Sequence, residues 1–186
     1  MTTIGEPNKP DVLHACILAG GLSSRIGKDK AGLLLEGRTL LDTAIAKAAG
    51  LGIPTTVIRE DIVDRCGPLG GIITGFAQCE ARQILFLPCD MPFVSTEILQ
   101  AVIAGAGHNP HGACAADGDL AGFPITLNRA AEPAISEQHR RRQFSLQKLV
   151  KRLDLARVCS RDPKRELFNI NTADDFQAAG RFATDA

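Results

Sequence analysis

The stretch from Ala19 to Leu33, "AGGLSSRIGKDKAGL", carries the residue types needed to hold a polyphosphate. Gly20 and Gly21 let the main chain approach an anion closely, since neither has a Cβ in the way. Ser23 and Ser24 add hydroxyl donors, and Arg25, Lys28 and Lys30 place three cations within six residues. Such charge suits the neutralisation of a triphosphate and of a departing pyrophosphate. A P-loop would enclose four residues between Gly and Gly-Lys-Ser/Thr. Here Gly21 and Gly27 enclose five, and Asp29 stands in place of the hydroxyl, so the loop is built for a different phosphate chemistry. The competing reading is a solvated turn after a strand.

A second candidate is Asp90 in "LPCDMP", held between two prolines. A single carboxylate on a rigid turn suits Mg²⁺, which takes one or two protein oxygens and completes its shell with phosphate and water; the plainer alternative is a turn or helix cap. "GPLGG" at Gly67 to Gly71 offers another loop of close approach, or merely tight packing. "NINT" at Asn169 to Thr172 is either a ligand contact or a helix N-cap. The basic residues Arg140, Arg141, Arg142, Lys148, Lys151 and Arg152 suit a solvated face, or a surface for an anionic second substrate.

These residues need elements to position them. Val12 to Leu18 is a short apolar run ending at glycines, as expected of a strand buried on both faces. A helix is predicted over Leu40 to Ala49, a strand over Thr55 to Arg59, and a helix over Ile72 to Ala81 with Pro68 near its entrance. "QILFL" at Gln83 to Leu87 forms the third strand and runs into Asp90. A helix follows over Ser95 to Ala104, then two strands between Gly112 and Leu127 turning at Asp117-Gly118-Asp119. A basic helix over Ser145 to Leu153, a strand near Val158 and a closing helix over Thr172 to Phe182 complete the chain. Alternating strands and helices predict an α/β fold with a mostly parallel sheet. Ligands bind such sheets beyond the strands' carboxyl ends, where the glycine loop and Asp90 both emerge.

Composition bounds the reading. The chain has 186 residues, expected to form one domain over 12–182 after a disordered lead-in at 1–11. Lys+Arg and Asp+Glu both number 21, so no net basic field draws it to nucleic acid. No apolar run reaches the ~18 residues of a membrane span, and no export signal is evident at the start. The six cysteines show no paired metal-ligand spacing, which suits free thiols in a reducing cytoplasm.

Taken in order, "LAGGLSSRIGKDKA", "GPLGG", "PCDMPFV" and "FNINTADDF" resemble the MobA-type nucleotidyltransferases, the molybdenum cofactor guanylyltransferases. The resemblance covers most of 12–182 and implies a Rossmann-like three-layer α/β/α fold. It implies that Leu18, Ala19, Gly20, Gly21 and Ser23 contact the nucleotide and that Lys30, with Arg25, meets its phosphates. Asp90 would bind Mg²⁺, while Gly67, Pro68, Leu69 and Gly70 would lie by the guanine. Asp61, or alternatively Asp64, matches an aspartate ahead of that glycine loop, and Asn169 and Asn171 match positions on the pterin side. The implied reaction joins GMP from GTP to the terminal phosphate of Mo-molybdopterin and releases pyrophosphate. Molybdoenzymes or other cofactor-synthesis proteins would then be partners. Gly50 to Cys66 has room for one strand where the family places a strand, a helix and another strand, and the nucleotide-contacting Asn of that region has no counterpart. The alternatives are a cytidylyltransferase or other NTP transferase using the same loop, and a noncatalytic nucleotide- or pterin-binding partner of a molybdoenzyme.

Overall fold

The computed structural model describes residues 12–20, 30–64 and 66–184. The expected lead-in at 1–11 and most of the glycine loop, including Gly21, Ser23 and Arg25, lie outside the described residues. Six strands form one sheet: β1 (Leu13–Leu18), β4 (Thr55–Ile58), β5 (Gln83–Pro88), β6 (Gly112–Asp117), β7 (Leu120–Asn128) and β8 (Ala156–Cys159), in the order β4-β1-β5-β7-β6-β8. Both β4 and β5 pair parallel with β1, and β8 pairs parallel with β6; β7 alone runs against its neighbours. The mostly parallel sheet is therefore as the sequence predicts. A small ribbon of β2 (Leu34–Leu35) and β3 (Arg38–Thr39), turning at Glu36-Gly37, was not foreseen. Both turn residues have positive φ, 51° and 77°, and so short a pairing leaves little periodicity to detect.

Alternation along the central strands builds three layers. Cys16, Ile84 and Phe86 join a core with α2 (Pro68–Gln78), α4 (Glu132–Arg140) and α5 (Leu146–Leu153). Ala15, Ile17, Leu85 and Leu87 face the opposite side, against α1 (Leu40–Gly50) and α3 (Thr96–Gly107). A smaller cluster joins Leu40 to Ile170 and Ala179, docking α7 (Ala173–Thr184) beside β2 and β3. The described cysteines are all free, and five of the six are buried. Burial pushes the Cys16 thiol well up from its ordinary value.

Two helices escaped the sequence reading, α4 and α6 (Pro163–Glu166). Another begins earlier than expected: α2 starts at Pro68 rather than Ile72, so "GPLGG" is an N-cap and first turn rather than a free loop. Proline at N1 suits that start, because the first helical N–H has no intrahelical acceptor, and Gly67 supplies the N-cap at φ 56°. Between α1 and α2 there is one strand, β4, as the short segment requires.

Tight packing seats α2 on the sheet. A Cβ on Gly75 would lie 2.4 Å from Cε1 of buried Phe86 and 3.1 Å from Sγ of Cys16. Gly75→Ala should therefore destabilise the protein by about 1–3 kcal/mol through overpacking. The check is a lower urea midpoint with an unchanged slope; an unmoved midpoint would show that α2 shifts freely.

Candidate functional site

Because β1, β4 and β5 run parallel, their carboxyl ends open on one edge. A cleft of about 810 Å³ lies there, in the upper part of the range usual for small-molecule sites. It is lined by Leu18 at the end of β1 with Ala19 and Gly20 after it, by Asp61 and Asp64 after β4, and by Asp90 after β5. Lys30, Gly67, Pro68, Asn169 and Asn171 complete the set of sequence-derived residues that the fold brings together. Two others do not line it. Leu69 is wholly buried in the core, and Gly70 is buried beneath Asp61, because "GPLGG" is helical and helical periodicity turns Leu69 toward the sheet.

Hydrogen bonds fasten the three strand ends together. The Ala19 N–H donates to Ile58 O at 2.8 Å, and the Cys89 N–H donates to Leu18 O at 3.0 Å. A Cβ on Gly20 would sit 2.4 Å from Arg59 O, so only glycine lets the two main chains approach this closely. Similarly, a Cβ on Gly70 would lie 2.3 Å from Asp61 Oδ2. The Asp61 carboxylate thus rests on the first turn of α2. The next residue, Ile62, donates its N–H to Thr74 Oγ1 at 3.0 Å, and Thr74 in turn donates to Gly70 O at 2.9 Å. Partial burial raises the Asp61 pKa.

Asp90, Lys30 and Asn171 form the centre. Lys30 Nζ lies 3.5 Å from Asp90 Oδ2 and donates to Asn171 Oδ1 at 2.9 Å. Burial pushes the Asp90 carboxyl above its ordinary pKa, while the adjacent Lys30 ammonium pulls it back. The Ile170 N–H donates to Asp90 O at 2.9 Å, which pins the "NINT" segment to the turn after β5. Asn169 reaches the same cleft and donates its Nδ2 to Leu167 O at 3.2 Å. No group of three or more His, Cys, Asp or Glu suited to a metal exists among the described residues.

Asp175 is a participant the sequence reading missed. Its Oδ2 accepts the Asn171 and Thr172 N–H groups at 3.0 and 2.9 Å, and its own N–H donates to Thr172 Oγ1 at 3.1 Å. This reciprocal cap opens α7 and fixes the main chain at Asn171; the three-residue spacing from Thr172 to Asp175 was the available signal. Hydrogen bonding, first from the Asn171 amide, holds the Asp175 carboxyl below its ordinary pKa. Such a depressed group adds stability above its unfolded pKa and loses it as pH falls through the folded value. Asp175→Ala should lower stability by about 1 kcal/mol at neutral pH, the usual worth of a cap. The gap from wild type should close on acidification, which denaturant titrations over a pH series check.

The basic run sits elsewhere. Arg140 and Arg141 both pair with Glu137 on α4 and are largely exposed, and no residue of Arg140 to Arg142 lines the cleft.

Comparison with known proteins bears on the family and the fold. The family model for the MobA-like NTP transferase domain matches residues 15–60 and 52–158. The two matches meet inside the short segment, where the sequence has room for a single strand. A molybdenum cofactor guanylyltransferase from Acidiphilium cryptum is 31% identical over 195 residues, covering 90% of this chain and 93% of the relative. Another, from Ralstonia pickettii, is 35% identical over 101 residues, 44% of this chain and 48% of the relative. The chain spans about half the length of that relative and of two further ones, 58% and 54%. Among solved structures, molybdopterin-guanine dinucleotide biosynthesis protein A from Archaeoglobus fulgidus superimposes with a TM-score of 0.73 at 18% identity, over 93% of this chain and all of that one. The chain belongs to the MobA-like NTP transferase domain family.

Proposed function

We propose that this protein transfers GMP from GTP to the terminal phosphate of Mo-molybdopterin, forming the guanine dinucleotide cofactor and pyrophosphate. The observation that carries this reading is the Lys30–Asp90–Asn171 cluster, set where β1, β5 and the entrance to α7 meet. An oxygen of the acceptor phosphate attacks the α-phosphorus, and the bond to the β-phosphate breaks with its electrons leaving on pyrophosphate. The acceptor brings its own ionised nucleophile, since a phosphomonoester is largely dianionic at neutral pH. The protein's part is positioning and charge neutralisation, with no serine, histidine or other general base required.

Lys30 supplies charge to the phosphates, and the main chain at Leu18, Ala19 and Gly20 approaches them closely. Gly21, Ser23 and Arg25 are assigned to nucleotide contact on their sequence match alone. On the α2 side, Asp61 offers two carboxylate oxygens to the N1–H and N2–H donors of guanine, a pair that cytosine does not present. Gly67 and Pro68 flank that position. Asn169 and Asn171 face the acceptor.

A magnesium ion fits Asp90. At Asp90 a partly buried carboxylate lies beside a cation, and the described residues form no cage of protein ligands, which matches an ion carried in largely by its nucleotide. Asp90 would hold it, and when bound it would withdraw charge from the phosphates. With six free thiols, a cytoplasmic place of action fits this reading.

The test is calorimetric titration with GTP and with CTP, each in Mg²⁺ and again in EDTA. Tighter binding of GTP that weakens in EDTA supports the proposal. Preference for CTP would overturn the guanine assignment. Absence of binding by both would favour the noncatalytic reading.

A further inference from the structure

Among the described residues lining the cleft, Phe123 is the one aromatic side chain, and no nucleotide element accounts for it. It lies on β7, which runs antiparallel beside β5 with Phe86 opposite Ile125 as the final pair. Two residues further along each strand stand Pro88 and Phe123, placing Phe123 next to the turn that carries Asp90. Strands β1 and β4 lie on the other side of β5. The end of β1, with Ala19 and Gly20 after it, and the start of α2 are therefore on one flank of Asp90, and Phe123 is on the other. An in-line transfer at the α-phosphorus requires nucleophile and leaving group on opposite sides, so the acceptor's body needs its own wall away from the nucleotide.

Local structure aims and fixes this side chain. Pairing between β6 and β7 shifts register here: Cys114 faces Ile125 and Ala115 faces Gly122, which leaves Phe123 and Pro124 as extra residues on β7. Such bulges redirect side chains and recur beside active sites. Just before the bulge, the Gln147 amide clamps the Ala121 main chain, accepting its N–H at 3.4 Å and donating to its carbonyl at 2.5 Å. Phe123 itself packs against both large core clusters. It is a rigid aromatic surface, of the kind that recognises a flat heterocycle at little entropic cost.

We infer that Phe123 is a stacking platform for the fused-ring end of the acceptor, making it a specificity residue on the acceptor side. This rests on the proposed transfer to a pterin phosphate. Stacking on an aromatic side chain changes affinity by about tenfold.

The decisive comparison is Phe123→Leu, which keeps apolar packing and removes the ring, with Phe123→Tyr as the conservative partner. Phe123→Leu should raise the KM for the acceptor about tenfold with the GTP Kd unchanged, and Phe123→Tyr should restore it. A further variant covers poor folding of the leucine protein. The chain contains no tryptophan, so Phe123→Trp introduces a single fluorophore at the site. Its emission should be quenched by a stable oxidised pterin bearing a phosphomonoester and left unchanged by GTP. An unaltered acceptor KM in a folded Phe123→Leu protein, or quenching by GTP in place of the pterin, would overturn the inference. Loss of the underlying reading shows separately, as a wild-type protein that binds no GTP or transfers no GMP, whereas pterin quenching is read without turnover.

Discussion

Replacing Asp90 with asparagine should lower nucleotidyl transfer by about a thousandfold, the scale expected if the carboxylate anchors charge stabilisation at the phosphates as proposed. The fold should be unaffected. The link that ties Ile170 to this turn uses the Asp90 carbonyl, not its side chain, and Lys30 retains Asn171 as an acceptor. Asparagine preserves shape while removing the charge that a cation needs. Wild-type activity should therefore saturate with added Mg²⁺, and the variant should fail to recover at any concentration. Burial also raises the Asp90 pKa, and only the ionised carboxylate binds a cation. Transfer should accordingly rise with pH through a limb above the ordinary carboxylate range, and that limb should vanish in the variant. Thermal unfolding together with an activity profile across pH checks both parts. Undiminished transfer by a folded Asp90→Asn protein would remove Asp90 from metal binding.

Much of this site was legible because its parts sit at the ends of strongly patterned strands. The apolar runs before Gly20 and Asp90 gave β1 and β5 nearly to the residue, and parallel strands must open on the same edge. The errors have specific causes. "GPLGG" looks like a loop because three glycines depress helix propensity. The glycines are nonetheless needed within the helix, where Asp61, Leu18 and Phe86 press against Gly70, Gly71 and Gly75. Tertiary contact overrode propensity there. Helix α4 was missed because its mean character is polar and only Ile135 and Gln138 are buried, too few to set a period. Phe123 carried no local signal at all, since its place in the cleft depends on a register shift between two strands. The Lys30 to Asn171 bond joins residues 141 apart in sequence, and each motif alone gives no sign of the other.

That long-range bond makes Lys30 the residue at which the two ends of the chain become one site. Lys30→Ala should weaken triphosphate binding by about 1.5–3 kcal/mol, the worth of a charge-assisted contact, or about 10- to 150-fold in Kd. A second effect follows from the same geometry. The Lys30 ammonium is the main counter to the burial of Asp90, through both its charge and its hydrogen bond. Without it the Asp90 pKa rises further, and the acid limb of the transfer profile should move to higher pH. A phosphate-contacting lysine remote from Asp90 would weaken binding and leave that limb in place. A structural lysine would do neither and would instead lower the unfolding midpoint. Calorimetry with GTP and a pH profile on the same variant therefore separate the three roles. Weaker binding with an upward-shifted limb fits a cation shared between nucleotide and metal carboxylate, and unchanged GTP affinity would exclude Lys30 from the phosphate site.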